Sequence, residues 1–134
     1  MIKMVLTPLK SVGPFLFDSS ISNYRDFSLQ EVDEEFDEEV GWKAHTLPNK
    51  EVRIYTEDEK IVSIACYDEL YFDGENLIGL EIGVFKSIIN SELSNYERIE
   101  LDNGIKEILD YDSLGIQAYA MYGFIDSITC SGDE

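Results

Sequence analysis

Two stretches of the chain, Val52–Cys66 and Ile116–Cys130, carry the clearest succession of apolar and polar positions. Each reads as a hairpin: a β-prone run, a short turn, then a second β-prone run. The turns are Glu57-Asp58-Glu59-Lys60 and Met121-Tyr122-Gly123. Laid over one another without a gap, the stretches match Tyr55 to Tyr119, Ile61 to Ile125, Ser63 to Ser127, Ile64 to Ile128 and Cys66 to Cys130, a constant offset of 64 residues. Such self-similarity is the mark of a repeated structural unit. In both copies the isoleucines of the second run stand three apart. Strict alternation fails there, which predicts a bulge near Ser63 and Ser127.

Helical spacing precedes each hairpin. Val12-Gly-Pro-Phe-Leu-Phe17 leads into Asp18–Phe27, where Asp18 or Ser19 is an N-cap candidate and Ile21, Tyr24 and Phe27 share a face. Leu77–Leu80 leads into Glu81–Ile89, with Ile82, Phe85, Ile88 and Ile89 as an apolar stripe weakened by Gly83. Two more strands fit the spacing. Asp68–Phe72 ends at the turn signal Asp73-Gly74 and pairs back with Asn76–Gly79, and Ile105–Tyr111 pairs with the strand from Gly115. The expected architecture is α+β: an antiparallel sheet made by two helix-plus-hairpin repeats, with the helices on one face. A single domain would span 1–134, with repeat one near 12–67 and repeat two near 77–131.

Residues 28–50 have no counterpart of matching length in the second repeat. Ser28-Leu-Gln-Glu31 has the form of a capping box, and Leu29, Val32, Phe36 and Val40 recur at helical spacing before Gly41. The other face of that predicted helix is carboxylate: Glu31, Asp33, Glu34, Glu35, Asp37, Glu38 and Glu39. Like charges one turn apart weaken a helix by a few tenths of a kcal/mol each. A solvated face and a docking surface for a basic partner are the competing readings. Trp42 and His45 follow the run, and an aromatic beside a charged patch can anchor a partner. Smaller acidic clusters at Glu57–Glu59, Asp68-Glu69, Asp73 with Glu75, and Asp110 with Asp112 fall on predicted turns, where they could extend the patch.

Charge narrows the partners. With 28 Asp and Glu against 10 Lys and Arg, the formal net charge is -18. Nucleic acid and anionic membrane surfaces are disfavoured, because both require cationic neutralisation. Basic proteins and divalent cations remain, although calcium loop spacing is absent. The opening residues have no apolar run long enough for a signal peptide, and no stretch is long enough to span a bilayer. Cys66 and Cys130 match no metal or redox motif and are expected as reduced thiols in the cytoplasm.

Candidate chemistry is sparse. His45 is the single histidine, with no Ser or Cys constellation around it, and no glycine-rich phosphate loop is present. Carboxylate pairs are too abundant to point to a hydrolase. The reading is a non-enzyme with no cofactor and no metal.

The segment Val12–Phe17 entering a helix, the stretch Glu69–Leu80 and the closing hairpin Gly115–Ser131 together resemble small bacterial immunity proteins of contact-dependent growth inhibition and related polymorphic toxin systems. The arrangement is also similar, as a fold, to β-lactamase-inhibitor-like proteins. The resemblance implies a protein that binds one cognate toxin domain in the cytoplasm as a 1:1 complex, and like-charge repulsion argues for a monomer at low salt. Nuclease toxins are often basic, which suits an acidic inhibitor. Candidate partner-binding residues are Glu31, Asp33, Glu34, Glu35, Asp37, Glu38, Glu39 and Trp42, with Tyr24, Tyr67 and Tyr122 as further anchors. An acidic adaptor for another basic protein and a small carboxylate-dependent hydrolase are the alternatives.

Overall fold

The computed structural model describes residues 2–32 and 42–133. Its centre is one antiparallel sheet. Four strands come from the first part of the chain: β4 (Gln30–Val32), β5 (Lys43–Thr46), β6 (Val52–Glu57) and β7 (Lys60–Cys66). Four come from the second: β10 (Asn95–Leu101), β11 (Gly104–Tyr111), β12 (Ile116–Met121) and β13 (Phe124–Ser131). Their order across the sheet is β10-β11-β12-β13-β7-β6-β5-β4. Short pairs flank it, a meander of β1 (Leu6–Thr7), β2 (Ser11–Val12) and β3 (Phe15–Leu16), and a hairpin of β8 (Tyr71–Phe72) and β9 (Glu75–Asn76).

The α+β expectation of two helix-plus-hairpin repeats is therefore corrected. Half of the described chain is strand and 15% is helix. The first predicted helix is a seven-residue 3-10 segment, Ile21–Phe27, interrupted at Tyr24 (φ -116, ψ 27). Ser20, not Asp18 or Ser19, is its N-cap. The second is α1 (Ile82–Ile89), two turns long. The predicted helix from Ser28 also fails where it can be seen. Ser28 takes a left-handed conformation (φ 58) and closes the preceding 3-10 segment, and Gln30–Val32 pair with β5 as a strand. Helical spacing over a few residues cannot outweigh a strand edge that satisfies the backbone. The remainder of that predicted helix, Asp33–Val40, lies outside the described residues.

The two hairpins formed as read, and what recurs in the sheet is larger than either. Lys43↔Thr56 and Glu107↔Ala120, Ala44↔Tyr55 and Ile108↔Tyr119, and Val52↔Cys66 and Ile116↔Cys130 are the same pairings at an offset of 64. The register slips after Tyr55 in one and after Tyr119 in the other, so Val62 and Asp126 are the extra residues of two matching bulges. Each turn is a two-residue loop with both residues left-handed, Asp58 (φ 52) and Glu59 (φ 65), then Tyr122 (φ 55) and Gly123 (φ 83). That geometry matches the twist of the flanking strands. The halves meet where β13 pairs with β7, and Thr129 faces Ala65, its own counterpart.

One face of the sheet is the core. A row of His45, Ile54, Ile64, Cys130, Ile116 and Tyr111 crosses six strands, beside a second row of Val52, Cys66, Ile128, Ala118 and Leu109. Met4, Leu6, Val12, Phe15, Leu70, Leu77, Phe85 and Ile89 pack into the same cluster from the flanking elements. In α1 the buried Phe85 and Ile89 are one turn apart, Glu81 caps the start by accepting from the Gly83 N–H, and left-handed Asn90 ends it. Phe85 meets Tyr111 edge-on at 5.9 Å. Deleting such a ring costs about 3–5 kcal/mol.

Candidate partner-binding surface

Because β7 and β13 run antiparallel, the two long hairpins send their turns to opposite ends of the sheet. The Asp58-Glu59 turn shares its end with the start of β5, since Lys43 faces Thr56. Glu57, Asp58 and Glu59 form one acidic group there. Asp110 lies level with Ala65 and Arg53, toward the other end of the β6–β7 hairpin, and forms a second group with Asp112 and Asp133 around one cavity. Glu31 flanks the first group from the outer edge, opposite His45. The other predicted turn cluster, Asp68-Glu69 with Asp73 and Glu75, follows the far end of β7 and belongs to the opposite side.

Of the predicted binding residues, Trp42 and Glu31 are described. Half-buried, Trp42 donates its indole N–H to Glu57 Oε2 at 3.1 Å and tilts against Tyr55, ring centres 6.0 Å apart. Glu31 is exposed on β4. Asp33, Glu34, Glu35, Asp37, Glu38 and Glu39 lie outside the described residues. Of the other anchors, Tyr67 and Tyr122 are exposed, at 41% and 66%. Tyr24 is not an anchor. It is buried at 7%, packs against Phe15 and Phe27, and its hydroxyl accepts from the Leu16 N–H.

The sheet face opposite the core has a character of its own. Arg53, Ala65, Thr129, Gln117 and Asp110 form one row across it, and Ala44, Tyr55 and Ser63 begin another. Tyr119 bonds Gln117 through its hydroxyl, and Lys106 Nζ stands 5.1 Å from the centre of its ring. Burial, with Asp110 and Tyr67 nearby, raises the Tyr119 pKa. Beside Asp110 this face opens into a cavity of about 560 Å³ lined by Asp110, Asp112, Asp133, Leu9, Gln117 and Thr129 among others. A depression with three carboxylates in its lining suits the cationic head of a Lys or Arg side chain. Sequence reasoning noted Tyr55 and Tyr119 only as repeat markers and assigned nothing to residues 90–104, where β10 lies.

Buried polar groups here serve the fold. His45 Nε2 and Thr56 Oγ1 are hydrogen-bonded at 3.1 Å, and burial lowers the histidine's pKa despite the pull of Glu31. Glu69 accepts from Lys50 Nζ at 2.8 Å and from the Met4 N–H at 3.0 Å. Burial alone would raise its pKa, but these bonds and the charges of Lys50 and Lys3 hold it below the ordinary value. Among the described residues no group of three His, Cys, Asp or Glu is placed to hold a metal ion. Among them, too, no helix is long and apolar enough to cross a membrane. No family model, curated protein or solved structure matches the chain.

Proposed function

We propose that the protein is an immunity protein: a non-catalytic, cytoplasmic inhibitor that binds one basic, nuclease-type toxin domain and neutralises it. The observation that carries this reading is a pair of acidic groups on one sheet, Glu31 with Glu57, Asp58 and Glu59 beside half-buried Trp42, and Asp110, Asp112 and Asp133 around a cavity. The run Asp33, Glu34, Glu35, Asp37, Glu38 and Glu39 lies between Glu31 and Trp42 in the chain. A toxin that acts on nucleic acid must present a cationic surface to a polyanion. An acidic inhibitor competes for that surface, with long-range attraction speeding encounter and aromatic contacts slowing release.

Co-expression with the toxin domains encoded beside it should restore growth, and the pair should co-purify as a 1:1 complex. Cells left unprotected against every such domain would refute the reading. Reversing Glu34, Glu35, Glu38 and Glu39 together to lysine should weaken the complex at least about tenfold while the thermal transition stays in place. Unchanged affinity would move the contact to the Glu57–Glu59 and Asp110–Asp133 groups. Binding to a basic protein with no toxic activity, and to no toxin, would make the chain an adaptor instead.

A further inference from the structure

The two outer strands of the sheet differ greatly. β4 is three residues long, whereas β10 offers seven residues, Asn95–Leu101, in unbroken register with β11 and no bulge. No described strand pairs with its other side. Leu101 and Gly104 flank a two-residue turn, so they form a hydrogen-bonded pair, as do Ile99 and Lys106, and Glu97 and Ile108. The N–H and C=O of Tyr96, Arg98 and Glu100 therefore point outward. The bond from Tyr122 N–H to Ile105 C=O fits this phase, since Ile105 then faces β12 and not β10.

Long open edges invite another strand, and proteins usually blunt them with a bulge, a proline or lysines. β10 has none of these. Its charges are Glu97, Arg98 and Glu100, with Glu92 before it and Asp102 after it, and Arg98 is spent on Glu100 at 3.1 Å. Glu107 beside it on β11 is bonded by the Tyr96 hydroxyl at 2.7 Å. Carboxylates outnumber cations along the strand: Glu97 stands on one side, with Lys106 of β11 facing Ile99 there, and Glu100 with Glu107 stand against Arg98 on the other. Exposed Leu101 and Tyr122 stand together at its end, where the Tyr122 hydroxyl reaches the Asn103 C=O.

We infer that β10 is a docking edge for an extended strand of a basic protein, which adds to the sheet through Tyr96, Arg98 and Glu100. The inference rests on the reading of the chain as a binder of basic proteins. The acidic groups then serve encounter, and the edge supplies main-chain hydrogen bonds. Charge selects the occupant. A second copy centred on Ile99 would place Arg98 opposite Glu100 twice, but each copy brings a net charge of -18. A strand carrying Lys or Arg on alternate sides of its pleat would meet Glu97 on one side and Glu100 with Glu107 on the other.

The test uses the full chain and a short peptide alternating lysine and valine, with a proline-interrupted version as control. The alternating peptide should slow hydrogen exchange at the Tyr96, Arg98 and Glu100 amides by about tenfold or more, and the control should not. Arg98→Pro removes an outward N–H and leaves the bonds to β11, so it should abolish this protection while keeping the native circular dichroism. Glu97→Lys with Glu100→Lys keeps the backbone edge and should transfer preference to a peptide alternating glutamate and valine. Protection elsewhere, or binding by the Arg98→Pro variant equal to that of the wild type, overturns the inference. So does a wild-type dimer in light scattering that Arg98→Pro dissolves. If a toxin domain is neutralised equally by wild type and Arg98→Pro, the edge is refuted and the immunity reading stands. If no toxin domain is neutralised, that reading falls and the peptide result alone decides the edge.

Discussion

Cys66 and Cys130 hold matching positions in the two hairpins, and burial governs the chemistry of both. Burial pushes the Cys66 thiol up to about 12, with Asp68 and Glu69 adding to the effect, and raises Cys130 as well. A thiol is reactive only as thiolate. Ellman's reagent should therefore release almost nothing from the native protein and titrate both cysteines in guanidinium; rapid native reaction would contradict the packing. His45 gives a pH signature instead. Its pKa is lowered by burial, against the charges of Glu31 and Glu59 and with that of Lys43, so the unfolded chain takes up a proton more readily than the folded one. The stability it lends is complete above the ordinary value of 6.5 and is lost as pH falls from there through the lower folded value. Denaturant midpoints of wild type and His45→Gln should accordingly keep their gap above about pH 7.5 and converge as pH falls below about 6.5. A gap that widens toward acid would reverse the sign.

Turns and strand ends set the stability of the elements. Gly115 closes the β11–β12 connection at φ +66, and a Cβ there would meet the Ser131 carbonyl at 2.4 Å and Leu9 Cδ2 at 2.7 Å. Gly74 has a similar conformation, φ +80, with nothing within 4 Å. Gly74→Ala should cost about 1 kcal/mol from the backbone alone, and Gly115→Ala about 2–4 kcal/mol, read from urea midpoints. Equal losses would mean that the close approach at Gly115 relaxes freely. These turns were among the most legible features of the sequence. Short turns between β-prone runs, and the isoleucines three apart, disclosed the hairpins and their bulges because both signals are local. The helices were legible only as nearby apolar spacing, which a kinked 3-10 segment and a strand edge can also satisfy. β10 escaped notice because Tyr96-Glu-Arg-Ile-Glu-Leu101 exposes both faces, so no alternation of burial marks it. The candidate site was legible as charge, but not as geometry. Nothing local in sequence says that Asp110, Asp112 and Asp133 line one cavity, or that Glu31 flanks Glu57–Glu59, which only the pairing of the strands decides.

For the whole molecule, charge opposes compactness. A net charge of -18 on 134 residues repels itself in the folded state more than in the expanded one. Raising sodium chloride from about 20 mM to about 500 mM should therefore raise the thermal midpoint by several degrees, as the screening length contracts. A midpoint that falls would show that ion pairs such as Lys50–Glu69 outweigh the repulsion. The same salt change should slow association with a basic partner, so stability and encounter rate would move in opposite directions. The meeting of β7 and β13 has a kinetic side as well. Each long hairpin closes around two residues, whereas Thr129 and Ala65 come together only by closing a loop of roughly sixty. Local pairs therefore assemble first, and the rate of folding is governed by the joining of two preformed halves. Thr129→Gly should slow folding more than it speeds unfolding, and stopped-flow chevrons would reverse that order if the β7–β13 pairing formed only after the rate-limiting step. Until that junction closes, each half presents an open central strand to solvent, which makes the half-folded chain the form most exposed to aggregation.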